Sequence, residues 1–480
     1  MVTLLVNVMI YVILLSSAVK ICYHIFYGGL MKKTINLLES NILTALTRLA
    51  VPIMASSFIQ MAYNMTDMIW LGRVGSGAVT SVGTAGMYMW FANGLAVLPK
   101  MGGQVKAGYC IGAGDYDKAA EYTAAAFQLA AMLSICFGGI CMLFSRPLIA
   151  FFGLTSPDVI RDARFYLIIT CGLLIFSFMN QVFAGIMTAR GNSISLLLAT
   201  ASGLVLNIVI DPVLIFGLGP FPRMGVTGAA IATVIAQIMV TLIFVRLSSK
   251  DTQIFQKKRL FRKTPVRAIK ELICIGLPSA IQSIIFTSIS MVLARIIAGF
   301  GEGAVAVQKI GSQIESISWM ISDGFGAAVN SFIAQNYGAE NHRRILKGYR
   351  AAMILATIWG IVCTLLLVVF PEPLFRFFLP EAELLGMGTE YLRVMGVSQL
   401  FMCIEITTAG AFSGLGKTMP PSLVSVVFTV ARIPLALFLI ATALDLNGIW
   451  WSITISSIAK GIALVSWFVL YLRSQKKFWM

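Results

Sequence analysis

The sequence predicts an all-α integral membrane protein with twelve transmembrane helices, arranged as two parallel six-helix repeats. Three observations support this fold class: an apolar composition, an internal repeat, and an alternation of basic loops. Of the 480 residues, 58% are hydrophobic and only 12% are charged, whereas a soluble domain carries about 25% charged residues. The composition therefore excludes an ordinary soluble domain.

Twelve apolar runs are long enough to cross a bilayer, which requires about 20 residues in a helix. Gly, Pro and short polar clusters separate most of these runs. In chain order, the predicted spans are residues 47–71, 79–101, 120–144, 163–188, 194–217, 226–247, 271–299, 305–332, 348–370, 389–412, 421–444 and 448–472.

The second half of the chain repeats motifs of the first half at an offset of 226 residues. The corresponding pairs are Pro52 and Pro278, 75–79 and 301–305, and 112–115 and 338–341. No gap is needed between the first and last of these motifs. Two tandem membrane units that enclose polar residues are typical of secondary transporters.

Basic residues precede the first span, follow the even-numbered spans and end the chain, whereas acidic residues are more frequent in the opposite loops. The basic set is Lys32, Lys33, Arg48, Lys106, Lys118, Arg190, nine residues within 246–270, Arg343, Arg344, Lys347, Arg350, Lys417, Arg473, Lys476 and Lys477. The acidic set is Asp158, Asp162, Glu372, Glu381, Glu383, Glu390 and Asp445. The positive-inside rule therefore predicts that both ends of the core are cytoplasmic. Six spans is an even number, so the two units share one orientation.

We predict a first lobe at residues 31–247, a basic cytoplasmic linker at 248–270, and a second lobe with a short tail at 271–480. Residues 1–30 form an apolar extension outside both repeats. They fit an uncleaved extra span, a signal-like segment, or a mis-called start with translation beginning at Met31. We favour the last interpretation and leave this extension out of the mechanism.

Several other classes of protein are excluded by what the sequence contains. The net charge of +16 could suggest nucleic acid, but the basic cluster between spans fits the positive-inside rule and attraction to anionic lipid. The two histidines, His24 and His342, have no metal-ligand neighbours. We therefore expect a transporter rather than an enzyme, with membrane lipids as partners, no nucleic acid, no cofactor, and no metal beyond a coupling Na⁺.

Polar residues inside the first half are the main functional candidates, because an acid at the bilayer centre costs about 2.5–3.5 kcal/mol. Helical spacing places four of them on one face of the first span: Gln60, Tyr63, Asn64 and Asp67. Asn207 and Asp211 share a face of the fifth span. At 1.5 Å per residue, both acids lie roughly 7–9 Å inside the outer end, and Thr233 in the sixth span reaches a similar depth.

This set of side chains suits two tasks. Two neighbouring acids in low dielectric can hold a proton near neutral pH, and carboxylate, amide and hydroxyl oxygens can ligate Na⁺. An ordinary interfacial acid beside Arg73 is the alternative for Asp67. Pro52 and Pro212 are candidate bending positions, because proline removes a helix hydrogen bond; a static kink is the alternative.

The second half lacks the equivalent acids. At the repeat offsets Asp67 becomes Leu293, Asp211 becomes Ala436 and Asn207 becomes Arg432. Its own intramembrane charges are Arg295, Lys309, Glu315, Asp323, Glu405 and Arg432. We take Glu315, Asp323, Glu405 and Arg432 as candidates that line the cleft and attract a cation; structural pairing among these charges is the alternative.

Motifs spread over about residues 40–472 resemble one known family. They are 49–53, Asp67 with Gly72, 206–212, 225–230, 335–339, 414–418 and 432–434. In their order and spacing they resemble the multidrug and toxic compound extrusion (MATE) transporters, of the bacterial DinF-like branch. Some branches of that family carry an acid in the seventh span, where this chain has none at 280–284.

The resemblance implies two parallel six-helix repeats around a central cleft, in a multidrug antiporter that works by alternating access. We expect a monomer in the bacterial inner membrane. It would export drug-like, amphiphilic or cationic small molecules against entering H⁺ or Na⁺. The family's cation-linked site corresponds to Asp67, Asn207 and Asp211, and we extend it to Thr233. A flippase for a lipid-linked precursor or another amphiphile is the alternative. A flippase of this kind would favour a cleft with several basic residues. Here the basic residues Arg295, Lys309 and Arg432 are balanced by the acids Glu315, Asp323 and Glu405.

Overall fold

The computed structural model describes residues 35–154, 156–218, 222–249, 251, 253–255, 264–378 and 382–475. Within these ranges the chain is α-helical and forms no β-strand. The extension at 1–30 lies outside the described residues. So do several of the charges used for the topology prediction: Lys32, Lys33, 256–263, Glu381, Lys476 and Lys477.

The described chain forms seventeen helices, numbered here in chain order. The first half contains α1 (Ile42–Val74), α2 (Ser76–Gly112), α3 (Tyr116–Leu143), α4 (Ser145–Ala150), α5 (Pro157–Gly172), α6 (Leu174–Ala189), α7 (Ser193–Phe216) and α8 (Val226–Ser248). The second half contains α9 (Val266–Ala298), α10 (Glu302–Gly338), α11 (His342–Val369), α12 (Pro371–Phe378), α13 (Ala382–Gly396), α14 (Gln399–Gly414), α15 (Met419–Val430), α16 (Arg432–Ile440) and α17 (Leu446–Ser474).

Apart from the short helices α4 and α12, and with three pairs of helices each counted as one span, these helices correspond to the twelve predicted spans. Eight spans are long and apolar enough to cross a membrane: α1, α3, α7, α8, α9, α11, α17, and α15–α16 counted as one span. Two bent pairs also qualify, α5–α6 with a 47° bend and α13–α14 with a 45° bend. The remaining predicted spans correspond to α2 and α10, which are not among the helices that meet this criterion. They have 37 residues each, about 55 Å at 1.5 Å per residue.

The repeat extends to details that hydropathy did not predict. The short helices α4 and α12 begin 226 residues apart, at Ser145 and Pro371. Gly225 and Asp445, directly before α8 and α17, adopt nearly the same positive-φ conformation, with φ of 54° and 48°. The matching offset in these last helices is therefore 220 residues. The two halves are thus copies of one backbone plan.

Helices α1 and α9 each pack across the boundary between the halves, α1 against α10 and α9 against α2. A Cβ atom added to Gly276 would lie 2.1 Å from the Leu98 carbonyl oxygen. The repeat-equivalent contact is between Gly324 and α1, where an added Cβ would lie 2.4 Å from Met54 Cγ and 3.5 Å from the Ala50 oxygen. The contacts at the boundary between the halves are therefore repeated, as the sequence motifs are.

The halves also meet at the end of the bundle that carries Lys106, Lys118, Arg190, Arg344 and Lys417, called here the basic end. A Cβ atom on Gly112 would lie 1.9 Å from the Gln335 carbonyl oxygen, and one on Gly338 would lie 2.0 Å from that of Tyr109. Gln335 Nε2 also donates to the Ala189 oxygen at 2.6 Å. Helices α2 and α10 are therefore in direct backbone contact at the basic end.

Candidate functional site

The candidate site of the first half lies where α1, α7 and α8 pack together. Asn207 and Asp211 are completely buried on α7, and Asn207 Nδ2 donates to Asp211 Oδ1 at 3.0 Å. The carboxyl group of Asp67 on α1 lies within interaction distance of both. Thr233 on α8 lies close to the hydroxyl group of Tyr63. The structure thus brings the four candidate coupling residues to one place.

Most polar atoms of this cluster have no hydrogen-bond partner among the described residues. The buried, unpartnered atoms are Tyr63 Oη, Asp67 Oδ1, Asn207 Oδ1, Asp211 Oδ2 and Thr233 Oγ1. Neither acid forms an ion pair within the described ranges; Arg73 lies instead over the Trp70 ring, at 5.2 Å. Buried carboxylates without a counter-charge are costly. The cluster therefore suits a bound proton or a small cation held by oxygen atoms.

Sequence reasoning missed one member of the cluster, Tyr166 on α5. Its side chain is buried, and its hydroxyl group lies close to Thr233 and to both acids. The only available signal was a tyrosine near the start of the fourth span, and nothing local connects it to Asp67. The contact depends on how α5 packs against α8.

The polar face of α1 divides between two environments. Tyr63 is buried in the cluster and Asp67 is partly buried, whereas Gln60 and Asn64 are exposed. Successive turns of one helix therefore contribute to the cluster and to an exposed surface. Both α1 and α7 continue through their prolines, Pro52 and Pro212, and bending at these positions stays a prediction.

At the equivalent place, the second half has a hydrophobic cluster. The counterparts of Tyr63, Asp67, Asp211 and Thr233 are Ile289, Leu293, Ala436 and Ile453, which all belong to one apolar cluster. Leu293 and Ala436 are buried in it. The first half therefore differs from the second in chemistry at this position although their backbones match.

The second half has a different polar centre. Glu405 on α14 forms an ion pair with Lys460 on α17, with 3.3 Å between Oε2 and Nζ and less than a tenth of either side chain exposed. The buried Arg432 donates from Nε to Ser456 Oγ at 2.7 Å and from a terminal nitrogen to Ser457 Oγ at 3.0 Å. Glu315 on α10 accepts from Tyr391 Oη at 3.3 Å. Sequence reasoning missed Lys460, a single lysine inside the twelfth apolar run.

The other second-half charges are dispersed. Arg295 and Lys309 are exposed and form no ion pair within the described ranges. Asp323 on α10 is solvent-accessible although protein surrounds it, and it faces Lys100 on α2 across the boundary between the halves. Of the four cleft candidates, the structure therefore groups Glu315, Glu405 and Arg432 and leaves Asp323 apart.

A twelve-span bundle of two helical repeats, with unpaired acids buried in one of them, defines the class of secondary transporters. The family model of MatE matches the chain twice, at residues 52–213 and 278–438. These segments cover most of each half and coincide with the internal repeat. The chain belongs to the MatE family.

Named relatives cover most of the chain. The sequence is 28% identical to a protein of Thermotoga maritima called "Probable multidrug resistance protein NorM", over 84% of this chain and 87% of the relative. It is 24% identical to an "FAD transporter" of Shewanella oneidensis, over 90% and 96%, and 22% identical to "Multidrug export protein MepA" of Staphylococcus aureus, over 90% and 94%. These names support a transporter rather than an enzyme, and an exporter over a precursor flippase.

Solved structures confirm the fold. One, titled "Outward-facing conformation of a multidrug resistance MATE family transporter of the MOP superfamily", superposes with a TM-score of 0.85 at 23% identity, over 92% of this chain and 99% of that one. A MOP superfamily transporter of Pyrococcus furiosus gives the same TM-score and coverage at 22% identity. The predicted all-α, multi-pass architecture in two repeats is therefore confirmed.

Proposed function

We propose that the protein is a secondary active multidrug exporter, which antiports drug-like and often cationic compounds against H⁺ or Na⁺ entering through the Asp67–Asp211 cluster. The names of its relatives support the substrate class. The observation that carries the coupling role is the pair of neighbouring acids, Asp211 fully and Asp67 partly buried, which have buried, unpartnered oxygens and no basic side chain bound to them among the described residues. A cluster of this kind takes up a cation at a low cost and loses it when its surroundings change.

Coupling requires that the cation and the substrate favour different conformations, because only differential binding links the two. Helix α1 suits this role. It carries Asp67 and Tyr63 into the cluster, exposes Gln60 and Asn64 one turn away, and packs against α10 of the other half. A cation that binds Asp67 and Asp211 therefore acts on the position of α1, which also contacts the opposite repeat.

The same proposal includes the cellular setting. We place the protein in the inner membrane of a bacterial cell, as a monomer in contact with lipid, with both ends of the core in the cytoplasm. The support for this orientation is the alternation of basic and acidic loops. In this orientation the basic end, where α2 and α10 touch, faces the cytoplasm, and substrate leaves from the opposite end.

The test is export by purified protein in liposomes under an imposed pH gradient at equal Na⁺, and under an imposed Na⁺ gradient at equal pH. We expect Asp211→Asn to abolish gradient-driven export while insertion and folding persist, because Asn is similar in size and cheaper to bury. The matched control is Asp158→Asn, since Asp158 is 79% exposed; this variant should transport normally. Export by Asp211→Asn at the wild-type rate under both gradients would contradict the proposal.

A further inference from the structure

The two halves treat their buried acids differently. In the first half, the Asp67–Asp211 cluster has no basic side chain bound to it among the described residues. In the second half, Glu405 is paired with Lys460. Arg432 lies close enough to act electrostatically on both Glu405 and Glu315. Two carboxyl groups and two basic side chains thus belong to one polar cluster.

The repeat shows what replaces the ion pair in the first half. Gly185 and Gly410 make equivalent close contacts, with the Lys100 and Gly326 carbonyl oxygens, and they align Glu405 with Asn180. Asn180 Nδ2 donates to Gln237 Oε1 at 2.8 Å, and its Oδ1 accepts from Thr241 at 2.8 Å. The first half therefore has a satisfied, neutral amide network where the second half has two opposite charges.

We propose that Lys460 is a built-in counter-cation for Glu405, which excludes a mobile cation from the second half and confines ion coupling to the Asp67–Asp211 cluster. This inference rests on the proposed function. The Lys460 ammonium group lies 3.3 Å from the carboxylate and is covalently tethered, so it cannot enter or leave with the transport cycle. An ion that competes for Glu405 has to displace a charge that stays in the site.

The surroundings hold this arrangement in place. Glu405 pairs directly with Lys460 on α17, and Arg432 on α16 acts electrostatically on Glu405 and on Glu315 of α10. Arg432 is fixed by Ser456 and Ser457, one α17 turn before Lys460. Its guanidinium group also lies over the Phe286 ring, at 5.9 Å. The serines keep Arg432 from replacing Lys460 as the direct partner of Glu405.

The test counts cations bound to the purified full-length protein. Proton uptake is followed by the pH of a weakly buffered detergent solution, and sodium binding by radioactive Na⁺ at equilibrium. Lys460→Met removes the ammonium group and keeps an unbranched side chain, so Glu405 should recruit one additional cation per protein. Lys460→Arg, which keeps the charge, should bind the wild-type number, and so should Lys460→Met combined with Glu405→Gln.

Two results would overturn the inference. The first is a folded Lys460→Met protein that binds the wild-type number of both ions. The second does not depend on whether the single variant Lys460→Met folds. It is a double variant, Glu405→Gln with Lys460→Met, that binds fewer cations than wild type, which would mean that Glu405 itself holds a mobile ion. Asp211→Asn separates the two proposals, because its effect on cation number tests the first-half site alone.

Discussion

The contact between α2 and α10 at the basic end predicts that Gly112→Ala shifts the protein away from the conformation described here. An added Cβ atom would lie 1.9 Å from the Gln335 carbonyl oxygen and 2.9 Å from its Cα. To reach even 3.0 Å the two backbones must separate by about 1.1 Å, and neither is a flexible side chain. Overpacking of this kind costs about 1–3 kcal/mol.

A cost of this size acts on the equilibrium between states in which α2 and α10 touch and states in which they are apart. About 1–3 kcal/mol corresponds to a shift of about 5- to 150-fold in that equilibrium. The matched control is Gly83→Ala on the same helix, where an added Cβ meets nothing within 4 Å. Gly83 lies inside the helix, where Gly→Ala gains about 1 kcal/mol of helix propensity, whereas Gly112 is its last residue. The control therefore shows the effect of an added methyl group on α2 without a close contact to α10.

The separation can be measured with spin labels on cysteines that replace Lys118 and Lys347, two exposed positions on α3 and α11 at the basic end. Pulsed electron resonance should report longer distances in Gly112→Ala than in wild type, and wild-type distances in Gly83→Ala. A Gly112→Ala protein with the wild-type distance distribution and thermal stability would refute the argument that this glycine is required for the contact.

Three further predictions follow from the same structure. Tyr166→Phe removes a hydroxyl group beside Thr233, so we expect the cation concentration for half-maximal export to rise several-fold while folding is kept; an unchanged concentration would remove Tyr166 from the site. Asp323→Asn should weaken the binding of cationic substrates more than neutral ones, measured by equilibrium binding, because Asp323 is a solvent-accessible acid between the halves; equal effects on both would argue against a cleft position. A cysteine that replaces the exposed Lys417 on a Cys-free background should be protected from impermeant reagent in intact cells, and labelling from outside would invert the topology.

Much of the fold could be predicted from the sequence because it depends on local properties. The length of an apolar run determines whether a helix can cross the bilayer, and the repeat of Pro52 as Pro278 identifies two copies of one plan. The acids Asp67 and Asp211 stand out because charges within apolar runs are rare. Helix period and rise then placed them at one depth, and in the structure they lie within interaction distance of each other.

Only the tertiary structure decided which polar groups meet across distant helices. Tyr166 joins Thr233, and Lys460 joins Glu405, through packing that no local pattern records. The contact of Gly112 with Gln335 likewise depends on how the two halves approach each other. Hydropathy and helical period describe each helix by itself, whereas the partner of a buried charge is set by side-chain packing between helices far apart in the chain.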